Sequence, residues 1–230
     1  MHIHSIILAR GGSKGIANKN IIDFCGKPLI AWTINQCLHS KYITEVWVSS
    51  DSQDILDVSE KYGAKTIRRP DNISGDSASS ESAWIHAIEI IQKDNNVDMV
   101  FAPQVTSPLR EVSDIDGAIK EMMDDGTADS LLSTVEIEDF FIWRQIQGCN
   151  PESVNYDYTN RKPRQEIEKK YLENGSFYIF KPKLLNDSNN RLDGKVVLYK
   201  MEKYKMFQID NDEDIKLSAI IMKGFGLDKV

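Results

Sequence analysis

The sequence predicts an α/β protein whose largely parallel sheet is covered by helices on both faces. Short β-branched or apolar runs alternate with amphipathic segments from the N-terminus to about residue 135. Strands and helices that alternate at this spacing form parallel sheets, because each helix carries the chain back across one face of the sheet. The length of 230 residues suits a single domain, with or without a large insertion.

The chain begins with a strand, a helix and a second strand. The apolar run Ile6–Leu8 predicts the first strand, which leads into a loop rich in glycine. Pro28 suits the first turn of a helix, and apolar residues recur on one helical face as far as His39. The β-branched run Thr44–Ser50 predicts the second strand.

The second helix is followed by a third strand and a polar stretch. Ser52 can cap a helix over Gln53–Tyr62, which Gly63 then ends. Lys65–Ile67 predicts the third strand. The serine-rich stretch Ser74–Ser82 is either a solvated loop that caps the next helix or a helix entrance whose hydroxyl groups face a ligand.

Two further helix–strand units complete the regular part of the sequence. We expect helices over Ala83–Gln92 and Ser113–Asp124, and strands over Val97–Ala102 and Ala128–Val135. Ligands of such sheets collect beyond the carboxyl ends of the strands, where Asp51 and the glycine-rich loop are expected to lie.

The alternation stops within the next 35 or so residues. A stretch of that length without simple structure is either a functional insertion or disordered. It holds several aromatic and basic residues, namely Phe140, Phe141, Trp143, Tyr156, Tyr158, Arg161, Lys162 and Arg164. The aromatic residues argue against disorder, and exposed aromatic and arginine side chains are typical of interfaces. We predict that residues 137–172 form an arm that contacts a second copy of the chain; alternatively, the basic residues form only a solvated face.

The C-terminal part returns to the predicted core. Strands are expected over Ser176–Phe180, Val196–Tyr199 and Phe207–Ile209, and a last helix over Ile215–Lys223. The pair Asn174-Gly175, just before the first of these strands, could be a hairpin turn.

Composition excludes several classes of protein. The net charge of −7 argues against a general nucleic-acid binder, but not against a nucleotide substrate that local cations could bind. No apolar run approaches the ~20 residues that span a bilayer, and no signal-peptide pattern is present. Cys25, Cys37 and Cys149 suggest neither a disulfide framework nor a zinc site. These features predict a soluble, cytoplasmic protein with reduced thiols.

The first loop carries the pattern expected of a polyphosphate site. Glycines at positions 11, 12 and 15 let backbone N–H groups approach phosphate oxygens, and the loop also carries the cations Arg10, Lys14 and Lys19. The loop matches neither the Walker pattern nor the dinucleotide fingerprint, so a plain surface turn stays open.

An acidic segment near the C-terminus offers a candidate metal site. Asp210, Asp212 and Asp214 have the spacing at which carboxylates can share a hard cation such as Mg²⁺. The alternative is an acidic helix N-terminus that the helix dipole favours. Arg68 and Arg69 could likewise contact substrate or pair with surface carboxylates.

Taken together, the motifs resemble one family. The segments LARGGSKGIANKN, RRPDNISGDSASS, QVTSPLR, Arg164-Gln165, ENGSFYIF and IDNDED occur in the order seen in the CMP-sialic acid synthetases, or acylneuraminate cytidylyltransferases. The resemblance covers essentially the whole chain. It implies a single domain with a Rossmann-like three-layer αβα nucleotidyltransferase fold, a mainly parallel mixed sheet and a dimerisation insertion at 137–172.

The resemblance also implies roles for individual residues. The residues similar to those that hold and activate the CTP triphosphate are Arg10, Lys14, Lys19 and Asn20. Those similar to positions that read the cytidine are Ala9, Arg69 and Ser80. Those that resemble positions facing the sugar acid are Gln104, Arg164, Asn174 and Tyr178. Asp210 matches the metal-holding aspartate, but Gln208 stands where bacterial members often have a second one. Either Asp212 supplies the missing carboxylate, or one protein carboxylate is enough to hold the metal together with phosphate and water.

The implied reaction is transfer of a cytidylyl group from CTP to a sialic-type nonulosonic acid, with release of pyrophosphate. The implied cofactor is Mg²⁺ or Mn²⁺, and the implied assembly is a homodimer. Two alternatives remain: a sugar 1-phosphate nucleotidylyltransferase and a non-catalytic nucleotide-binding protein. The sequence does not identify the acid.

Overall fold

The computed structural model describes residues 1–12, 15–138 and 140–229. Eleven strands are assigned within these ranges. They are β1 (Ile3–Leu8), β2 (Asp23–Phe24), β3 (Lys27–Pro28), β4 (Glu45–Ser50), β5 (Lys65–Arg68), β6 (Met99–Pro103), β7 (Ser130–Ile137), β8 (Trp143–Arg144), β9 (Glu152–Ser153), β10 (Lys170–Phe180) and β11 (Val196–Met201).

Six α-helices connect these strands in the described part of the chain. They are α1 (Leu29–Leu38), α2 (Gln53–Lys61), α3 (Ser80–Ile91), α4 (Val112–Asp124), α5 (Lys183–Ser188) and α6 (Asp212–Gly224). None of the helices in the described ranges has the length and hydropathy needed to cross a membrane.

Seven strands form one mixed sheet in the order β11-β7-β10-β6-β1-β4-β5. β1 runs parallel to β4 and β6, β4 to β5, and β7 to β11. Only β10 runs antiparallel to its neighbours, β6 and β7. The predicted α/β class with a mainly parallel mixed sheet is therefore confirmed.

Helices pack on both faces of this sheet. Alternate residues of β1 point to opposite faces, so Ile3 and Ile7 join one buried cluster and Ile6 joins the other. The first cluster includes side chains of α1, α2, α4 and α6, and the second includes side chains of α3 and α5. The result is the predicted three-layer arrangement.

Most predicted elements are present, with shifted ends. α3 begins three residues before the predicted Ala83, because Ser79 caps it by accepting a hydrogen bond from the backbone N–H of Ser82. Pro28 closes a short hairpin of β2 with β3 and precedes α1 instead of starting it. α5 was not predicted, since a six-residue helix shows little periodicity.

Two expectations about the C-terminal part are wrong. Residues 207–209 form no strand. The Ile209 N–H donates to the Thr106 carbonyl, but this single hydrogen bond does not extend into strand pairing. Asn174-Gly175 is not a hairpin turn, because both residues lie inside β10, where the pairing with β7 shifts register. Gly175 has a φ of +63°, a conformation that favours glycine, and a Cβ there would lie 2.5 Å from Gln208 Nε2.

In the described part of residues 137–172, aromatic and basic side chains pack on one another. β8 pairs with β9, and the rings of Trp143 and Tyr156 meet edge to face. The guanidinium of Arg161 lies 4.4 Å from the ring centre of Phe141. The arm therefore has structure of its own, as the aromatic content suggested. Its contact with a second copy remains a prediction.

Candidate active site

The candidate site lies where the chain leaves the carboxyl ends of four parallel strands. β1, β4, β5 and β6 end at positions 8, 50, 68 and 103, so Arg10, Asp51, Arg69 and Gln104 all follow at one edge of the sheet. Parallel strands bring their carboxyl ends to a common edge, which is why residues about 90 positions apart meet there.

A cavity of about 290 Å³ opens at this edge. Four predicted site residues line it, namely Arg10, Arg69, Ser80 and Gln104. Leu8 and Trp84 give it an apolar part, and the loop around Asp76 provides a polar wall. A second, more open depression adjoins it and is lined by Arg10, Gly12 and Asp51. The two together offer a partly apolar pocket next to a more open polar surface.

Arg69 is a buried cation at the bottom of this region. Its Nη2 lies 3.9 Å from Asp51 Oδ1, and burial lowers the pKa of its guanidinium. Its Nε is buried with no hydrogen-bond partner among the described residues. A buried donor without a partner is costly, so a ligand that supplies an acceptor would be stabilised here. Arg69 therefore does not form the simple surface pair that the sequence left open.

The start of the glycine-rich loop is held in place by side chains around it. The Gly11 N–H donates to Asp51 Oδ1 at 2.9 Å, and the Asn20 Nδ2 donates to the Arg10 carbonyl at 2.9 Å. Asn20 is buried and supports the loop from within. Arg10 itself reaches outward and pairs with Asp76 at 2.6 Å. Lys14, a predicted phosphate-binding residue, lies outside the described residues.

The far end of the loop closes on the acidic segment. Lys19 Nζ donates to the Ile209 carbonyl at 3.0 Å and to Asp210 Oδ1 at 2.9 Å. A Cβ on Gly15 would lie 2.6 Å from the Asp210 carbonyl oxygen, so only glycine fits at this approach. The loop and Asp210 are therefore adjacent, although they are about 190 residues apart in sequence.

The three aspartates of the acidic segment have different surroundings. Asp214 caps α6 by accepting from the N–H groups of Asp210 and Asn211, as the helix N-terminus alternative requires. Asp212 is exposed at the first position of α6. The side chain of Asp210 is 70% exposed and faces the Lys19 ammonium. Of the three aspartates, Asp210 is the one that pairs with a cation among the residues that the structure describes.

The donor set fits a weakly held magnesium ion better than a closed protein site. No group of three or more His, Cys, Asp or Glu side chains suited to a metal occurs within the described ranges. However, Mg²⁺ commonly uses one or two carboxylates together with phosphate oxygens and water. The Lys19 ammonium shows that the oxygens of Asp210 and Ile209 accommodate a cation. Gln208 donates to the Asn174 carbonyl at 2.8 Å, so its amide supports the bulge in β10.

The structure does not bring the remaining predicted sugar-facing residues to the cavity. Asn174 is 1% exposed, and its amide bonds to Ser133 and Lys205 within the core. Tyr178 is buried, and its hydroxyl donates to Glu173 at 2.5 Å. Arg164 lies on the exposed arm and pairs with Glu138. Ala9 is buried between the cavity-lining residues Leu8 and Arg10, and its N–H donates to the Ser49 carbonyl at 3.1 Å.

Comparison with known proteins identifies the family. The family model described as cytidylyltransferase matches residues 4–223. The chain belongs to the cytidylyltransferase family. This membership confirms the resemblance inferred from the motifs.

Curated proteins of two kinds are similar to this chain. N-acylneuraminate cytidylyltransferase A of Danio rerio is 34% identical over 228 residues, which cover 98% of this chain and 52% of the relative. Pseudaminic acid cytidylyltransferase of Campylobacter jejuni is 34% identical over 222 residues, 95% of each chain. The chain thus spans about half the length of the Danio rerio relative.

The fold is shared with solved structures of low identity. A structure of CMP:2-keto-3-deoxy-manno-octonic acid synthetase complexed with CTP aligns with a TM-score of 0.72 at 15% identity, covering 98% of this chain and all of that one. At this identity the likeness supports the fold alone.

Residues outside the predicted set also shape the candidate site. Asp51 joins the glycine-rich loop to Arg69, and its position directly after β4 was the available signal. Trp84 and Asp76 also line the cavity. Asp76 belongs to the serine-rich stretch that the sequence offered as a possible ligand-facing segment, whereas nothing in the sequence indicated Trp84. Arg110, in the segment QVTSPLR, is buried, and its guanidinium donates to the Gln104 carbonyl at 2.8 Å.

Proposed function

We propose that the chain is a cytidylyltransferase that activates a sialic-type nonulosonic acid with CTP and releases pyrophosphate. One observation carries the proposal: a partly apolar cavity lined by Arg69 and Gln104 adjoins a cation-bearing glycine-rich loop that closes on Asp210. Membership of the cytidylyltransferase family and the names of its relatives support the nucleotide and the class of acid.

The cavity supports binding of the nucleotide base. Cytosine presents one amino donor and two acceptors, at O2 and N3, so a buried donor is needed to distinguish it. Arg69 has such a donor in its unpaired Nε, and the Ser80 hydroxyl lines the same cavity. We assign these two side chains, with the backbone of Ala9, to the cytidine.

The glycine-rich loop supports transfer of the nucleotidyl group. The anomeric hydroxyl of the acid attacks the α-phosphorus of CTP, the bond from phosphorus to the bridging oxygen breaks, and pyrophosphate leaves with the electron pair. Negative charge grows on the leaving group, and fixed cations stabilise it. We assign this role to Lys19, Arg10 and Lys14, with Asn20 supporting the loop.

We propose that Asp210 holds Mg²⁺ or Mn²⁺ together with the nucleotide phosphates, with Asp212 as the candidate second ligand. When bound, the ion would neutralise phosphate charge and acidify the attacking hydroxyl. The Lys19 ammonium lies 2.9 Å from the same carboxylate, so the metal and Lys19 would share Asp210.

Mn²⁺ binding in the presence of CTP tests this assignment by electron paramagnetic resonance. We expect Asp210→Asn to weaken Mn²⁺ binding by at least about tenfold, since even residues that only support a metal ligand contribute about 10- to 100-fold. Glu213→Gln is the control, because Glu213 is an exposed neighbour on α6. Asp212→Asn shows whether a second carboxylate contributes. Unchanged affinity in Asp210→Asn would remove Asp210 from the metal site.

We also propose that the enzyme is a cytoplasmic homodimer in which the arm at 137–172 contacts the second copy. Exposed aromatic and basic side chains on the arm support this assembly, and Arg164 lies among them. If Arg164 binds the sugar acid, it does so from the arm, not from the cavity of Gln104. Sedimentation velocity at micromolar concentration tests this assembly, and a monomer under these conditions would contradict it.

A substrate panel tests the proposed activity. Pyrophosphate release is measured with CTP and N-acetylneuraminic, legionaminic, pseudaminic and deaminated neuraminic acids, each with and without Mg²⁺. We expect release with at least one acid. Release with sugar 1-phosphates alone would instead identify a sugar 1-phosphate nucleotidylyltransferase. CTP binding without any release would identify a non-catalytic nucleotide-binding protein.

A further inference from the structure

Arg110 is a fully buried arginine whose five N–H groups all have acceptors. The side chain is among the largest fully buried ones, and the residue is 1% exposed. Its Nε donates to Gln36 Oε1 at 3.0 Å. Its Nη1 donates to the carbonyl and hydroxyl of Ser176 at 2.6 and 3.1 Å, and its Nη2 to Thr33 Oγ1 at 2.9 Å and the Gln104 carbonyl at 2.8 Å.

All five of these acceptors are uncharged. Burial lowers the pKa of Arg110 to about 10, so its guanidinium still carries a full charge near neutral pH. Burying a charge that has no hydrogen-bonded carboxylate costs desolvation free energy. Apolar residues of similar volume often stabilise a fold as well or better. Packing alone therefore does not explain this residue.

Hydrogen bonds from Arg110 hold the N-terminal end of the segment 104–110, at Gln104. The Gln104 carbonyl accepts from Arg110, and the Gln104 N–H donates to the Ser176 carbonyl at 2.9 Å. The Ser176 carbonyl also accepts from Arg110. Both peptide groups that flank the Gln104 Cα are thus held, directly or through Ser176, by one guanidinium. Their orientation determines the direction in which the Gln104 side chain leaves the backbone.

The other end of the segment is held by Gln36. Its Nε2 donates to the carbonyls of Pro108 and Arg110 at 2.9 and 2.7 Å, while its Oε1 accepts from Arg110. Gln36 and Arg110 therefore form one buried network that ties α1, the segment 104–110 and β10 together. Gln104 is the member of this segment that lines the cavity.

We propose that Arg110 is a positioning residue that orients Gln104 toward the sugar acid. This inference rests on the proposed function, in which Gln104 donates to or accepts from the acid. Arg110 touches no substrate; it acts through the Gln104 and Ser176 peptide groups. A planar guanidinium with five donors can hold two peptide groups at once, whereas the ammonium of lysine, with three donors on a flexible stem, cannot reproduce this geometry.

A double-substitution cycle tests the proposal. The variants are Arg110→Lys, Gln104→Ala and the combination, and KM is measured separately for CTP and for the acid identified by the panel. We expect Arg110→Lys to raise the KM for the acid by about tenfold or more and to change the KM for CTP by less than about twofold. In the Gln104→Ala background, Arg110→Lys should raise the KM for the acid no further, because the contact it positions is already absent.

Two additional variants separate positioning from loss of stability. Thr33→Val removes one acceptor of the Nη2 group that holds Gln104, and we expect a smaller rise in the KM for the acid. Ile119→Ala creates a cavity in the fully buried part of α4, and we expect it to lower the melting temperature without changing the KM for the acid.

The outcomes distinguish this inference from the proposed function. If the wild-type protein releases no pyrophosphate with any acid, the proposed function is refuted, and the proposed role of Arg110 is refuted as well. Active wild-type protein in which the two substitutions act independently refutes the positioning role alone. An equal rise in both KM values, or the same change in Ile119→Ala, also refutes it.

Discussion

Replacing Lys19 with alanine is expected to lower kcat by about 10²- to 10³-fold, the usual effect of removing one preorganised group that stabilises charge in a transition state. Lys19 has the position required for such a group. Its side chain is only 16% exposed, and its ammonium is fixed by the Ile209 carbonyl and Asp210 at the end of the glycine-rich loop. Steady-state pyrophosphate release gives kcat directly.

The control for Lys19 is Lys223→Ala. Lys223 is exposed in the last turn of α6, at the opposite end of the helix from Asp210, and its removal should leave kcat within about twofold of wild type. Because Lys19 also joins two segments, thermal unfolding of both variants should be recorded. A Lys19→Ala enzyme with near-normal turnover would show that Lys19 is a structural link and not the activating cation.

Replacing Lys205 with methionine is expected to reduce the free energy of unfolding by about 3–5 kcal/mol, the usual cost of removing one partner from a buried ionic group. The side chain of Lys205 is 1% exposed, and its ammonium lies 2.8 Å from Glu111, 2.8 Å from Asp114 and 2.7 Å from Glu202. Burial alone would lower the pKa of Lys205, but its bonds to Asp114 and the other carboxylates raise it. Without this ammonium, Asp114 is left buried and uncompensated.

Urea unfolding of the Lys205 variant should be compared with that of Lys200→Met. Lys200 pairs with Glu136 at 3.1 Å, but its side chain is mostly exposed, so we expect its removal to cost less than about 1 kcal/mol. Similar losses in the two variants would show that burial does not strengthen the Lys205 cluster. Lys205 also accepts a hydrogen bond from Asn174 through its carbonyl, so the cluster supports the bulge in β10.

Some of the predicted site residues could be placed at the sheet edge from the order of strands along the sequence. Arg10, Arg69 and Gln104 each follow the end of a parallel strand, and the rule that such ends share an edge is enough to bring them together. Ser80 lies beside them because the serine-rich stretch carries the chain over the same edge into α3. For these residues, the local pattern was enough to predict that they lie at one edge of the sheet.

Asn174 and Tyr178, which the family resemblance places facing the sugar acid, do not line the cavity. Both belong to β10, in which side chains should alternate between faces with period two. The register shift between positions 173 and 178 breaks that alternation, and Gly175 allows the required backbone conformation. A one-residue change in register moves a side chain to the other face, so neither orientation could be derived from the sequence of the strand.

By itself, the sequence determined the α/β class, the glycine-rich loop after the first strand and the sheet edge at which Arg10, Arg69 and Gln104 gather. These features follow from interactions between near neighbours: hydrophobic period, glycine and proline conformations, and the direction of consecutive parallel strands. Only the tertiary structure decided that Lys19 contacts Asp210, that β10 lies antiparallel between β6 and β7, and that Arg110 is buried beneath Gln104. Each depends on contacts between residues distant in the chain, and their geometry is set by how the layers pack.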